Sequence, residues 1–207
     1  MYLDKPLQNY LDELASAQPT PGGGSAAALS GAMAAGLACM VAQLTLGKAD
    51  YAAVQQEIEE LVQQTETLRV RFQRLMQEDI EAYGRLSATF RLPRTTSEEK
   101  ATRTKAIQAQ LVEAALVPLE VVERTAELVQ HLLRIAEIGN AKVLSDIATG
   151  TALASGAGTG ASWMVLVNLR TMKDLEKVNE LSNRLNAALD TIAAYSQQVI
   201  NKVGERA

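Results

Sequence analysis

One cysteine, Cys39, and one histidine, His131, are all that 207 residues contain of these two types. A single thiol cannot close a disulfide within the chain. One thiol and one imidazole also fall short of the three or four soft or imidazole ligands that a Cys/His zinc site needs. One histidine supports no Ser/His/Asp assembly of any strength. A carboxylate-only magnesium or calcium site stays open on these counts. Aromatic residues make up 4% of the chain, too few for a typical β-sandwich core. A basic excess is lacking too: 20 Lys and Arg against 24 Asp and Glu leave a net charge of −4, with no positive field to attract nucleic acid. The N-terminus, MYLDKPLQNYLDELAS, shows no basic region followed by an apolar one, so no secretory signal is read and the cytoplasm is the expected location.

What is present is an ordinary globular balance, 47% apolar and 21% charged, in a chain long enough for one sizeable core. A single domain spanning residues 1–207 is expected. The least ordinary segment is PTPGGGSAAALSGAMAAGLACMVAQLTLGK, residues 19–48, in which Gly22, Gly23 and Gly24 lead into a long uncharged run. Residues 25–47 could span a bilayer by length. Their Ala, Gly, Ser and Thr content, with Gln43 inside, supplies too little lipophilicity for that. Small side chains instead suit a buried helix that its neighbours approach closely. No membrane partner is expected.

Helical spacing dominates elsewhere. Asp4 is expected to cap a first helix with Pro6 in its opening turn and Leu7, Leu11 and Leu14 along one stripe. Ser25 reads as the N-cap of the small-residue helix, which should end near Gly47. Asp50 should start a long helix whose apolar face runs from Ile58 through Phe72 and Tyr83 to Phe90. Thr96 and Glu99 form a capping box. The next helix should kink or break at Pro118. Gly139 supplies a stop and Asn140 a new cap. A second small-residue helix should follow from Lys142 to Leu169, and an amphipathic helix should close the chain. WMVLVNL, at 163–169, has a strand-like composition but would have no partner strand. The expected fold is all-α, a multi-helix bundle with two Ala/Gly-rich helices at its centre.

The triplet Gly22–Gly24 before Ser25 offers backbone N–H groups at the positive end of a helix, which suits an anion or the polar edge of a heterocycle. A turn needed only for chain reversal explains it equally well. No P-loop spacing is present, and GAGTG at 156–160 lacks the strand and frame of a dinucleotide loop. His131 and Cys39 read as ordinary packing residues. Asp79 shares a helix face with Met76 and Tyr83, an arrangement that would partly desolvate the carboxylate and raise its pKa. Asp146 near a helix start and Lys48 beyond the small-residue helix are further candidates. Solvated surface charge is the plain alternative for all three.

Taken together, PTPGGGSAAA, LTLGKADY, EDIEAY, LPRTTSEEK, VPLEVVE, IGNAKVLSD and VNL resemble, in order and over nearly the whole chain, the cyclodeaminase/cyclohydrolase family. The members it resembles are the C-terminal domain of formiminotransferase cyclodeaminase and stand-alone bacterial methenyltetrahydrofolate cyclohydrolases. The resemblance implies an all-helical subunit, at least a homodimer, acting on one-carbon folates without a metal or other cofactor. It allows for a formiminotransferase on a separate chain. It implies catalytic roles for Asp79, Tyr83 and Asp146; the chemistry of an already electrophilic methenyl carbon adds the expectation that Asp79 is base and acid, oriented by Tyr83. Gly22, Gly23, Gly24, Ser25, Lys48, Asn140, Ser145 and Asn168 are the implied substrate-binding residues, and Arg94 and Lys100 are candidate cations for the glutamate tail. Hydrolysis of 5,10-methenyltetrahydrofolate is the leading expectation. Ammonia-releasing cyclisation of the formimino compound is the second, and a non-catalytic folate-binding or helical interaction protein the third.

Overall fold

The computed structural model describes residues 2–206. Six α-helices follow one another: α1 (Leu7–Leu14), α2 (Gly23–Gln43), α3 (Gln55–Thr89), α4 (Ser97–Ile138), α5 (Leu144–Leu169) and α6 (Leu175–Arg206), with short 3₁₀ turns at Tyr2–Asp4, Ala49–Val54 and Ala141–Val143. The described residues contain no strand, and WMVLVNL lies in α5. Helices α2, α3, α4 and α5 pack on one another, and α6 lies against α4 and α5. The all-α bundle expected from helical spacing is what forms.

Small residues set how closely the helices approach. A Cβ on Gly31 of α2 would fall 2.7 Å from the ring of Phe72 on α3, so the glycine is what admits a fully buried phenyl group there. Burying such a ring contributes about 2 kcal/mol. Gly150 of α5 faces the Ala34 carbonyl and Leu37 of α2, and Gly160 faces Ala27. Residue numbers fall on one helix as they rise on the other, so α2 and α5 run antiparallel. Twelve of the 21 residues of α2 are buried. That accounts for its lack of charge, although by length and composition it could cross a membrane.

Longer side chains tie the periphery. Arg71 on α3 binds Glu120 on α4 through Nε at 2.8 Å and Nη2 at 2.7 Å, and reaches Glu78 at 2.6 Å. Cys39 is buried, with Gln43 Nε2 3.4 Å from its sulfur. His131 is held neutral by burial, which lowers its pKa.

Several boundaries differ from expectation. Pro6 occupies the cap position of α1 without any side-chain cap, while Asp4 belongs to the preceding 3₁₀ turn. Of the first helix, Tyr10 is buried, whereas Leu7 is 62% and Leu11 50% exposed. Gly22 caps α2, and Ser25 lies inside the first turn. That helix ends at Gln43, short of Gly47, whose φ of +71° marks the later turn. Asp50 sits in a 3₁₀ turn before α3. α4 runs without a break through Pro118; packing along so long a helix outweighs the one missing N–H. α5 starts at Leu144 rather than Lys142. The Thr96–Glu99 capping box forms, and Asn140 accepts from the Lys142 amide.

Candidate active site

Four helices converge on one cavity of about 390 Å³, within the range of small-ligand sites. The first turn of α2 supplies Gly22, Gly23 and Gly24. The second half of α3 supplies Asp79, Tyr83, Leu86 and the capping residue Phe90. The last turns of α5 supply Met164, Val167 and Asn168, with Leu111 and Ala114 of α4 at the back. Antiparallel packing explains the meeting, since the start of α2 lies beside the end of α5: Met164 Sδ would be 3.5 Å from a Cβ on Gly23.

Asp79 lies directly over the backbone of Gly24. A Cβ there would fall 2.5 Å from the Asp79 carboxyl carbon and 2.7 Å from Oδ2, so only glycine leaves the carboxylate its place. Burial raises the Asp79 pKa to about 6, against the opposing hydrogen bond from the Ser25 backbone N–H. A carboxylate at a helix N-terminus is also favoured by the partial positive charge there. The result is a group mostly ionised at neutral pH yet able to hold a proton, as acid–base work requires.

The expected orienting role of Tyr83 has no hydrogen bond behind it: Tyr83 lines the cavity and is 42% exposed, while the group that favours ionised Asp79 is the Ser25 backbone N–H. Ser25 itself is fully buried; its Oγ donates to the Gly22 carbonyl at 2.9 Å and lies 3.1 Å from the Tyr10 hydroxyl. Asn168 commits its Nδ2 to the carbonyls of Ala114 and Met164, at 3.0 and 2.9 Å. Its Oδ1 is then left as an acceptor for a ligand N–H.

Lys48, Asn140, Ser145 and Asp146 are not part of this cavity. Asn140 is tied to the opposite end of α2, its N–H donating to Thr45 Oγ1 at 3.0 Å and its Nδ2 to the Leu44 carbonyl at 3.2 Å. That end is about 30 Å from Gly24, at 1.5 Å per helical residue. Ser145 and Asp146 open α5 in the same region, and Lys48 precedes the 3₁₀ turn there. Arg94 and Lys100 are exposed beyond Phe90. No Lys or Arg lines the cavity itself.

Glycine backbone and Asn168 give this lining a polar edge, Leu86, Phe90 and Met164 an apolar middle, and Asp79 a carboxylate. A family profile described as Formiminotransferase-cyclodeaminase matches residues 6–187. The chain belongs to that family. It is 34% identical over 197 residues to a methenyltetrahydrofolate cyclohydrolase of Methylorubrum extorquens, covering 95% of each chain. It is 29% identical to the rat formimidoyltransferase-cyclodeaminase over 99% of this chain but 38% of the rat protein. The crystal structure of a formiminotetrahydrofolate cyclodeaminase from Thermotoga maritima superposes with a TM-score of 0.90 at 28% identity, over 99% of this chain and 98% of that one. The cyclodeaminase fold expected from the motifs is therefore the fold observed.

Sequence reasoning passed over Tyr10 and Met164. The leucine stripe of α1 drew attention away from Tyr10, which borders it three residues after Leu7 and four before Leu14. Met164, Asn168 and Thr171 stand four and three residues apart, a helical spacing visible in the sequence that would have placed Met164 and Thr171 on one face with Asn168.

Proposed function

We propose that this protein hydrolyses 5,10-methenyltetrahydrofolate to 10-formyltetrahydrofolate. The observation that carries the reading is Asp79, a largely buried carboxylate held over a glycine-lined helix start, inside a cavity of a cyclodeaminase-family fold. The methenyl carbon lies between two nitrogens in a cationic, already electrophilic group, so the protein's own residues and water suffice as reactants. The ionised Asp79 stabilises the bound cation and takes a proton from water as it adds to that carbon. It then returns the proton to N5 as the N5–carbon bond breaks, and the remaining hydroxyl proton leaves to solvent as the formyl carbonyl forms. Substrate and water give the formyl product and one proton, so the atoms balance.

A homodimer in the cytoplasm belongs to the same proposal. Support for a second copy comes from the uncharged faces of α2 and α5, where Met33, Met40, Leu44, Trp163 and Val167 are exposed; such patches mark association surfaces. A two-fold axis across the middle of this face would set the far end of one copy beside the cavity of the other. Lys48 and Asp146 of the second copy would then supply the cation that the cavity lacks and a further carboxylate.

The deciding experiment mixes purified protein with methenyltetrahydrofolate and follows loss of its near-ultraviolet absorbance. The second reading is favoured by the similarity to the T. maritima formiminotetrahydrofolate cyclodeaminase. The formimino compound with ammonia detection tests it, and faster turnover of that substrate would replace the first reading by the second. Folate binding with no turnover of either substrate would overturn both. Activity regained on mixing inactive Asp79→Asn and Lys48→Ala proteins would support the shared site.

A further inference from the structure

We propose that Tyr10, from the short helix α1, is a positioning residue that sets the working pH range of Asp79 through Ser25. The Tyr10 hydroxyl lies 3.1 Å from Ser25 Oγ, and both residues are buried. Ser25 Oγ spends its one proton on the Gly22 carbonyl, 2.9 Å away. A hydroxyl has a single proton to give, so Tyr10 donates and Ser25 accepts. The relay runs from the Tyr10 O–H to Ser25 Oγ to the Gly22 carbonyl, and each link polarises the next. It pins both ends of the first turn of α2, the turn that carries Gly24 against the Asp79 carboxylate and whose Ser25 amide favours the charged form of Asp79.

Other groups near Tyr10 do not replace this link. Tyr2 stacks edge-on at 5.4 Å and directs its own hydroxyl to Glu13. The Asp79 carboxylate is the charged group acting on the Tyr10 phenol through space, and it raises the phenol's pKa alongside burial, so Tyr10 stays a neutral donor. α1 thereby acquires a role beyond covering the core: the segment before the glycine turn sets the donor that favours ionised Asp79.

The inference rests on Asp79 being the acid and base of the reaction. In Tyr10→Phe the ring still fills its site, but Ser25 Oγ loses its donor and the turn loosens around the Ser25 amide. The charged form of Asp79 then loses support, and the acidic limb of the kcat–pH profile should move upward by about half a unit to one unit. KM for the methenyl substrate should change less than about threefold, because the cavity wall is untouched. Ser25→Ala should move the limb the same way, and the double variant no further than the larger single shift.

An unmoved limb in both variants, with Asp79→Asn inactive, overturns the Tyr10 inference and leaves the acid–base reading standing. Undiminished turnover in Asp79→Asn overturns the underlying reading instead. A lowered melting temperature in Tyr10→Phe with an unshifted limb assigns Tyr10 to packing alone and also overturns the inference.

Discussion

Gly24 and Asp79 occupy the same point in space: a side chain on the first would displace the carboxylate of the second, 2.5 Å from its Cγ and 2.7 Å from its Oδ2. Fifty-five residues apart in sequence, they are complementary halves of one site. The glycine earlier read as either a ligand cradle or a plain turn is required by the carboxylate that covers it.

Gly24→Ala should therefore remove activity before it removes the fold. Displacement of a catalytic group by about 1 Å costs on the order of 10²-fold in kcat, and alanine is otherwise well suited to a helix start. Gly23→Ala is the comparison: its neighbour is the flexible Met164 thioether at 3.5 Å, so its kcat should fall far less than that of Gly24→Ala, and the change in the cavity lining should show in KM. Steady-state kinetics with circular dichroism on both variants checks this. Equal losses would show that the turn, rather than the Asp79 contact, is what matters.

Asp79→Asn should lower turnover by about 10²–10⁴-fold while folate binding is comparatively preserved. The same change should stabilise the protein, and the sign follows from proton linkage. Folded Asp79 titrates near 6 against 3.8 for a free carboxyl, so the folded state binds more protons between those values. Stability therefore falls as pH rises from about 4 to about 6, and the cost is complete above 6, amounting to about 3 kcal/mol. Urea unfolding should show Asp79→Asn more stable than the parent at pH 7.5 and equal to it below pH 4. A gap independent of pH would contradict the linkage.

Glycines away from the site should divide by what surrounds them. Gly31→Ala meets the Phe72 ring at 2.7 Å and should destabilise by about 1–3 kcal/mol through overpacking. Gly84 is exposed in the last two turns of α3, with nothing within 4 Å of an added Cβ. Gly84→Ala should stabilise by up to about 1 kcal/mol through helix propensity. Thermal melts of the two variants moving in the same direction would refute this division.

Glu120→Ala should cost stability without touching kcat. It removes the bidentate partner of Arg71 that links α3 to α4. Arg71 is 29% exposed and keeps Glu78, so the expected loss is about 1 kcal/mol, well below that of a fully buried pair. Chemical denaturation and an activity assay on one preparation measure both quantities.

Much was legible from the sequence because helical order is local. The apolar spacing from Ile58 to Leu86, the Thr96–Glu99 box and the charge-free runs before Gln43 and Leu169 each name a helix without reference to anything distant. Pro118 and the cap of α2 were misjudged for a related reason. Propensity rules speak of isolated turns, whereas packing along 42 residues carries a helix past one missing donor, and Gly22 rather than Ser25 holds the cap.

Asp79, Gly24 and Asn168 could each be named from the sequence as carriers of chemistry. Only the tertiary structure decided that these three share a cavity, while Asn140 and Asp146 stand at the far end of the bundle. The physical reason is direction. Antiparallel packing of α2 on α5 puts the beginning of one helix beside the end of the other, and no one-dimensional pattern records which ends meet. Tyr10 shows the same limit, since its partner is chosen by how α1 folds back across the glycine turn rather than by any residue beside it in the chain.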